Sequence, residues 1–272
     1  MRRLVISGAL VVATLILGVI VLFCAPKEQE SPTSERMVGT ESTGQERQRE
    51  EGQKQEAGRV GEIDIQEPEL TDIEKRMDKI GLLKSLRPEV FEYALFGLEY
   101  FDPARKDVIT IVDFSKPSVE KRLFAIDLIN DTLLIKSYVS HGEGSGEKYA
   151  IKFSNTHGSH QSTLGFYVTE KSYRGGNGYS MVVDGIEWGI NEQVQWRGIV
   201  VHGADYADPV IIDSLGYLGM SEGCLALPFS LSTQYIDAVK DGSLILVYAN
   251  DQQYFSKSKV IRGFQEKSGR TL

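Results

Sequence analysis

Two side chains stand out as able to act together. Cys224 lies in "GYLGMSEGCLALP" (216–228), held between Gly223 and the apolar run Leu225, Ala226, Leu227. His202 ends the apolar run "GIVVH" (198–202), is followed by Gly203, and precedes the cysteine by 22 residues. The only other cysteine, Cys24, sits in an apolar N-terminal stretch and makes a poor disulfide partner, so Cys224 reads as a free thiol. A thiol served by an imidazole can carry acyl transfer: the imidazole takes the proton, the thiolate attacks a carbonyl, and backbone N–H groups hold the oxyanion. The competing reading is an inert buried thiol, the usual fate of a lone cysteine beside apolar residues.

Other polar residues could serve such a site. His141, in the glycine-rich "SHGEGSG" (140–146), either lines a groove or is solvated on its loop. Ser154 and Asn155, in "FSNTHGS" (153–159), either hydrogen-bond a substrate or fold their own loop, and are expected at the groove. His157 and His160 have the spacing of a metal pair, but no carboxylate or cysteine cluster accompanies them, so no metal is expected. Gly175, Gly176 and Gly178 are followed by neither Lys-Ser/Thr nor a helix start, so no phosphate loop is present and no cofactor is implied.

These residues need rigid mounts. After Pro103 the chain breaks into short runs rich in Val, Ile, Tyr, Phe and Thr, separated by Gly, Asn, Asp and Ser. Strands are expected at 107–113, 122–128, 133–140, 164–170, 179–184, 198–202 and 243–249, with a hairpin turn at "INDT" (129–132). Two helices precede them. Thr71 and Glu74 have the spacing of a capping box, and Pro88 suits a first helical turn ahead of Phe91, Ala94, Leu95 and Leu98. One short helix is expected at about 232–239. The folded part is therefore mainly β, with a small N-terminal helical cap at 71–104, a catalytic domain at 105–250 and a C-terminal tail at 251–272.

Upstream the composition changes twice. Arg2 and Arg3 precede an uncharged stretch, 4–25, whose 22 residues would reach roughly 33 Å as a helix. Residues 1–26 are expected to anchor the chain in the inner (cytoplasmic) membrane with the remainder on the extracytoplasmic side; a cleaved signal peptide and release to the periplasm is the alternative. Residues 27–70 carry 12 acidic and 6 basic side chains, hence −6 of the chain's net −8, and lack aromatics, which reads as a disordered acidic tether. The remainder is nearly balanced in charge, with no basic stripe, so nucleic acid is not an expected partner.

The motifs also resemble a known family. "IVVHGADY" (199–206) and "GMSEGCLALP" (219–228) are similar to the catalytic motifs of the L,D-transpeptidases, cysteine enzymes of bacterial peptidoglycan. With "IVDFSKPSVEKRLFAIDL" (111–128), "SHGEGSG" (140–146), "FSNTHGSHQSTLGFYVT" (153–169) and "GYSMVVDGIEWGINE" (178–192), they stand in the order of the murein L,D-transpeptidase catalytic-domain subfamily, over residues 90–250. The resemblance implies a β-sandwich or barrel, with Cys224 as nucleophile and His202 as general base. Gly203 would shape the histidine turn, Ser221 and Gly223 the nucleophile turn, and backbone N–H groups around Gly223 and Cys224 the oxyanion hole. Peptidoglycan stem peptides would be the substrates, cleaved after an L-centre diamino acid. Two positions depart from the better-known branch, which has a histidine where Glu222 stands and an arginine where Ala226 stands. An L,D-carboxypeptidase or endopeptidase with water as acceptor, or a non-catalytic wall-binding or thiol-sensing domain, remain the alternatives.

Overall fold

Strands form where β-branched and aromatic residues cluster, and helices where the capping signals stand. A computed structural model describes residues 69–270. The expected membrane segment with Cys24, and the tether up to residue 68, lie outside the described residues. Among the described residues no helix is long and apolar enough to cross a membrane. The elements are, in order, α1 (Asp72–Ile80), α2 (Pro88–Phe101), β1 (Val108–Asp113), β2 (Leu123–Asp127), β3 (Thr132–Ser137), β4 (Gly165–Gly175), β5 (Gly178–Gly185), β6 (Val200–Gly203), α3 (Val210–Leu215), β7 (Leu225–Leu227), α4 (Phe229–Val239), β8 (Leu244–Tyr248), α5 (Gln252–Lys257) and α6 (Lys259–Ser268).

The strands make one sheet in the order β3-β2-β1-β8-β4-β5-β6-β7. Its centre, β1 and β8, is buried at every residue, which explains why both read as largely apolar runs and why they can pair in parallel. The two ends of the sheet approach one another. The segment following β3 bridges to β7 at Ser140↔Ala226 and to the turn before it at Gly142↔Ser221, so the sheet nearly closes. Closure leaves few free strand edges, and its seam runs through the turn that carries Cys224.

Local chemistry explains the boundaries. Thr71 and Glu74 form the reciprocal capping box that opens α1, and Pro88 is the first residue of α2. In the β2–β3 hairpin the Asp127 carboxylate accepts from the N–H groups of Ile129 and Asn130, both at 2.9 Å, while Asp131 takes the left-handed conformation. Residues 251–270, expected as a tail, are instead α5 and α6. Tyr93 of α2 meets Phe264 of α6 edge to face at 5.5 Å. The buried Glu187 carboxylate accepts from Ser258 Oγ (2.6 Å), Tyr254 Oη (2.9 Å) and the Phe166 N–H (2.9 Å), pinning these helices to the sheet.

Candidate active site

The strand β6 delivers His202, and its parallel neighbour β7 delivers Cys224. Val201 pairs with Leu225 and His202 with Ala226, so Cys224, one residue before β7, lies level with Val200. Side chains alternate along a strand, and Cys224 therefore shares a face with His202. Both line one open cleft of about 680 Å³, together with Glu143, Tyr206, Glu222 and Phe229.

The imidazole is fixed by its neighbours. His202 is buried but for its edge, and its Nδ1–H donates to the Gly203 carbonyl at 2.9 Å. A carbonyl can only accept, so Nδ1 carries a hydrogen and Nε2 is the ring nitrogen left to other partners. The Tyr206 hydroxyl stands 3.5 Å from Nε2. Burial raises the Tyr206 pKa, as does negative charge on Cys224 and Glu222, so the phenol stays protonated and can only donate toward a lone pair. Gly203 must be glycine for space: a Cβ there would stand 2.5 Å from both Phe229 Cδ1 and Ser232 Oγ.

The thiol is half-buried, with Sγ 3.8 Å from the Gly198 carbonyl. Burial pushes its pKa up, the Val200 backbone N–H pulls it down, the Glu222 charge raises it again and the Arg197 charge lowers it. The resting group is thus a neutral thiol that needs a base. The turn holding it is stapled by Ser221, whose Oγ–H donates to the Cys224 carbonyl at 2.8 Å while accepting from the Gly223 N–H at 3.1 Å. That second bond engages the Gly223 N–H, one of the two donors expected for an oxyanion hole. Gly223 has φ +116°, a conformation side chains rarely adopt, and a Cβ there would lie 2.7 Å from Ile199 Cδ1.

The remaining expected residues lie elsewhere. His141 is fully buried behind the turn that carries Cys224 rather than in the cleft. Its Nδ1 accepts from Arg122 Nη2 at 2.7 Å, its Nε2–H donates to the Gly146 carbonyl at 2.9 Å, and its own carbonyl accepts the Ser221 N–H at 2.9 Å. Ser154 and Asn155 face a separate depression of about 280 Å³ shared with Asp251 and Lys257. They fold their loop: Ser154 Oγ accepts from the Thr156 N–H (3.0 Å) and Asn155 Oδ1 from the Gln193 N–H (3.2 Å). His157 packs edge-on against Trp196, whereas His160 pairs with Glu143 at 2.6 Å, so the two histidines serve different partners. Among the described residues no three side chains gather as metal ligands.

Sequence reasoning did not single out Tyr206, Glu143 or Arg197. Tyr206 stands four residues after His202 within the quoted motif and could have been found by that spacing. Glu143 and Arg197 reach the site only through the folding of their loops, for which the sequence carries no periodic signal.

An imidazole facing the same cleft as a thiol on a glycine turn is arranged for nucleophilic attack on a carbonyl. A family model described as the L,D-transpeptidase catalytic domain matches residues 83–248. Among solved structures, an L,D-transpeptidase from Mycobacterium smegmatis is 18% identical over 53% of this chain and 59% of its own, with a TM-score of 0.32. L,D-transpeptidase 1 of Mycobacterium tuberculosis is 16% identical over 53% and 62%, with a TM-score of 0.28. The catalytic domain of the E. faecium L,D-transpeptidase is 14% identical over 53% and 99%, with a TM-score of 0.33. The chain spans about three fifths of the length of the two mycobacterial proteins. No curated protein matches it. With a family match covering more than half its length, this chain belongs to the L,D-transpeptidase catalytic-domain family.

Proposed function

We propose that the protein is a peptidoglycan L,D-transpeptidase that works through a thioester on Cys224. The observation that supports this is the placement of Cys224 and His202 on adjacent parallel strands, on one face and in one cleft. His202 Nε2 takes the Sγ proton, and the sulfur adds to the carbonyl carbon of the peptide bond that follows the L-centre of a diamino acid in a stem peptide. The C–N bond breaks as His202 returns the proton to the leaving amine, which leaves a thioester. An acceptor amine then attacks, giving its proton to His202 while the thiolate departs. The Cys224 N–H, at the mouth of β7, is the backbone donor that serves the oxyanion, since the Gly223 N–H is held by Ser221.

We place this chemistry on the outer face of the inner membrane, with residues 4–25 as the anchor and the acidic segment as a tether. A flexible chain of that length has a root-mean-square reach of about 35–40 Å. The test uses the full-length chain in non-ionic detergent with stem-peptide muropeptides, with and without a carbapenem, followed by mass spectrometry. The expected result is a carbapenem adduct on Cys224 and new cross-linked muropeptides, both absent in Cys224→Ala. Loss of the base in His202→Ala is expected to slow turnover by about 10²–10⁴-fold. Unchanged turnover in Cys224→Ala refutes the proposal, and trimmed products without cross-links turn it into a hydrolase.

A further inference from the structure

Arg197 is placed unusually for a loop arginine. Its guanidinium is half-buried beside the nucleophile turn, with Nη2 3.3 Å from where a Cβ on Gly223 would lie. The next residue, Gly198, supplies the carbonyl that the Cys224 thiol faces. All of its hydrogen bonds go to neutral acceptors: Nη1 donates to the Ser154 carbonyl (2.6 Å) and to Thr163 Oγ1, and Nη2 to the Gln161 carbonyl (2.6 Å) and Ser159 Oγ (3.3 Å). Among the described residues no carboxylate pairs with it.

Half-burying a cation costs free energy unless something offsets it. Here the carbonyls satisfy the N–H groups but leave the net charge in place. The opposite charge that arises nearby during turnover is the one on Cys224. Glu222, on the same turn and exposed in the cleft, acts with the opposite sign.

We infer that Arg197 is a positioning residue for the nucleophile: it clamps the 154–163 loop against the Cys224 turn and leaves its unpaired positive charge to favour the thiolate over the thiol. The proton released from Sγ goes to His202 Nε2, so no other reactant is needed. The inference rests on the reading of Cys224 as nucleophile, although its test needs no stem peptide. The Arg197 charge does act to lower the Cys224 pKa, against burial and Glu222.

The experiment measures alkylation of Cys224 by iodoacetamide against pH in the full-length chain in detergent. The peptide containing Cys224 is followed by mass spectrometry, so that Cys24 does not contribute. In Arg197→Met the midpoint of the profile is expected to rise by about one pH unit, slowing alkylation at pH 7 about tenfold with the alkaline plateau unchanged. Arg197→Lys keeps the charge without the forked donor set, and its midpoint is expected to stay with the wild type even where its melting temperature falls. A midpoint unmoved in Arg197→Met overturns the inference, as does an equal shift in the lysine and methionine variants, which would mark a purely structural clamp. Failure of the transpeptidase reading shows separately, as normal alkylation profiles without any change in muropeptides.

Discussion

His141 ties acid stability to the turn that carries Cys224, and the size of the effect follows from its surroundings. The ring is fully buried, and burial together with the Arg122 guanidinium lowers its pKa from 6.5 to about 4. Arg122 is itself fully buried, donates to the Val139 and Lys116 carbonyls, and lies 4.7 Å above the Phe114 ring. Burial lowers its pKa to about 9, so it stays charged at neutral pH and the His141 ring must present a lone pair to it. The folded-state pKa is below the unfolded one. Unfolded chains therefore take up the proton first as pH falls, and stability present above about pH 6.5 is lost on the way to pH 4. At 1.36 kcal/mol per pH unit the full loss is about 3 kcal/mol, with about 2 kcal/mol of it gone between pH 7 and pH 4.5. With urea slopes of about 2 kcal/mol per molar, that is a fall of about 1 M in the unfolding midpoint. The assay is urea unfolding at both pH values for wild type and His141→Asn, whose amide oxygen can accept from Arg122 without titrating. The variant is expected to start lower at pH 7, having lost ring packing, yet to fall by about 1 M less on acidification. Carboxylates held low by partners, such as Asp131 beside Arg76 and Lys79, also lose stability in acid, but equally in both proteins. Parallel falls in wild type and variant refute the reasoning.

Two further outcomes test the turn itself. Glu222→Gln removes the charge that opposes thiolate formation, so its iodoacetamide profile is expected to move to lower pH, with alkylation at pH 7 a few-fold faster, opposite in sign to Arg197→Met. Gly223→Ala forces a side chain into φ +116° and against Ile199; a cost of about 1–3 kcal/mol and loss of turnover are expected, measured by thermal unfolding and muropeptide assay, and a fully active, equally stable variant contradicts the geometry described for the turn.

The sheet was legible because its strands are apolar runs with clear punctuation. β1 and β8 are buried throughout, and the "INDT" hairpin carries the Asp and Asn that tight turns use. β7 is only three residues long, too short for alternation to show, and it exists because β6 and the segment after β3 lie on either side of it. α5 and α6 were missed because α6 owes its position to contacts far away in sequence, Ser258 with Glu187 and Phe264 with Tyr93. The same distinction divides the site. Cys224 and His202 carry chemical signals in their own neighbourhoods, whereas Ser154 and Asn155 carry side chains equally suited to substrate or to their own loop. Local hydrogen bonding decided their place.

The position of Cys224 on the seam of the sheet has a mechanical consequence. Ser140 and Gly142 bridge to Ala226 and Ser221, and the Ser221 N–H donates to the His141 carbonyl, so the residues on either side of Cys224 are fastened to the segment that follows β3, the strand at the far end of the sheet order. A free loop would pay conformational entropy each time the sulfur was aligned with a carbonyl, whereas a turn fixed by closure has met that cost in folding. Charge can then be set without moving the sulfur. Arg197 approaches from the loop before β6, Glu222 belongs to the turn itself, and the two act in opposite senses on one thiol. Burial together with Glu222 outweighs Arg197, so the thiol rests protonated until a base takes its proton.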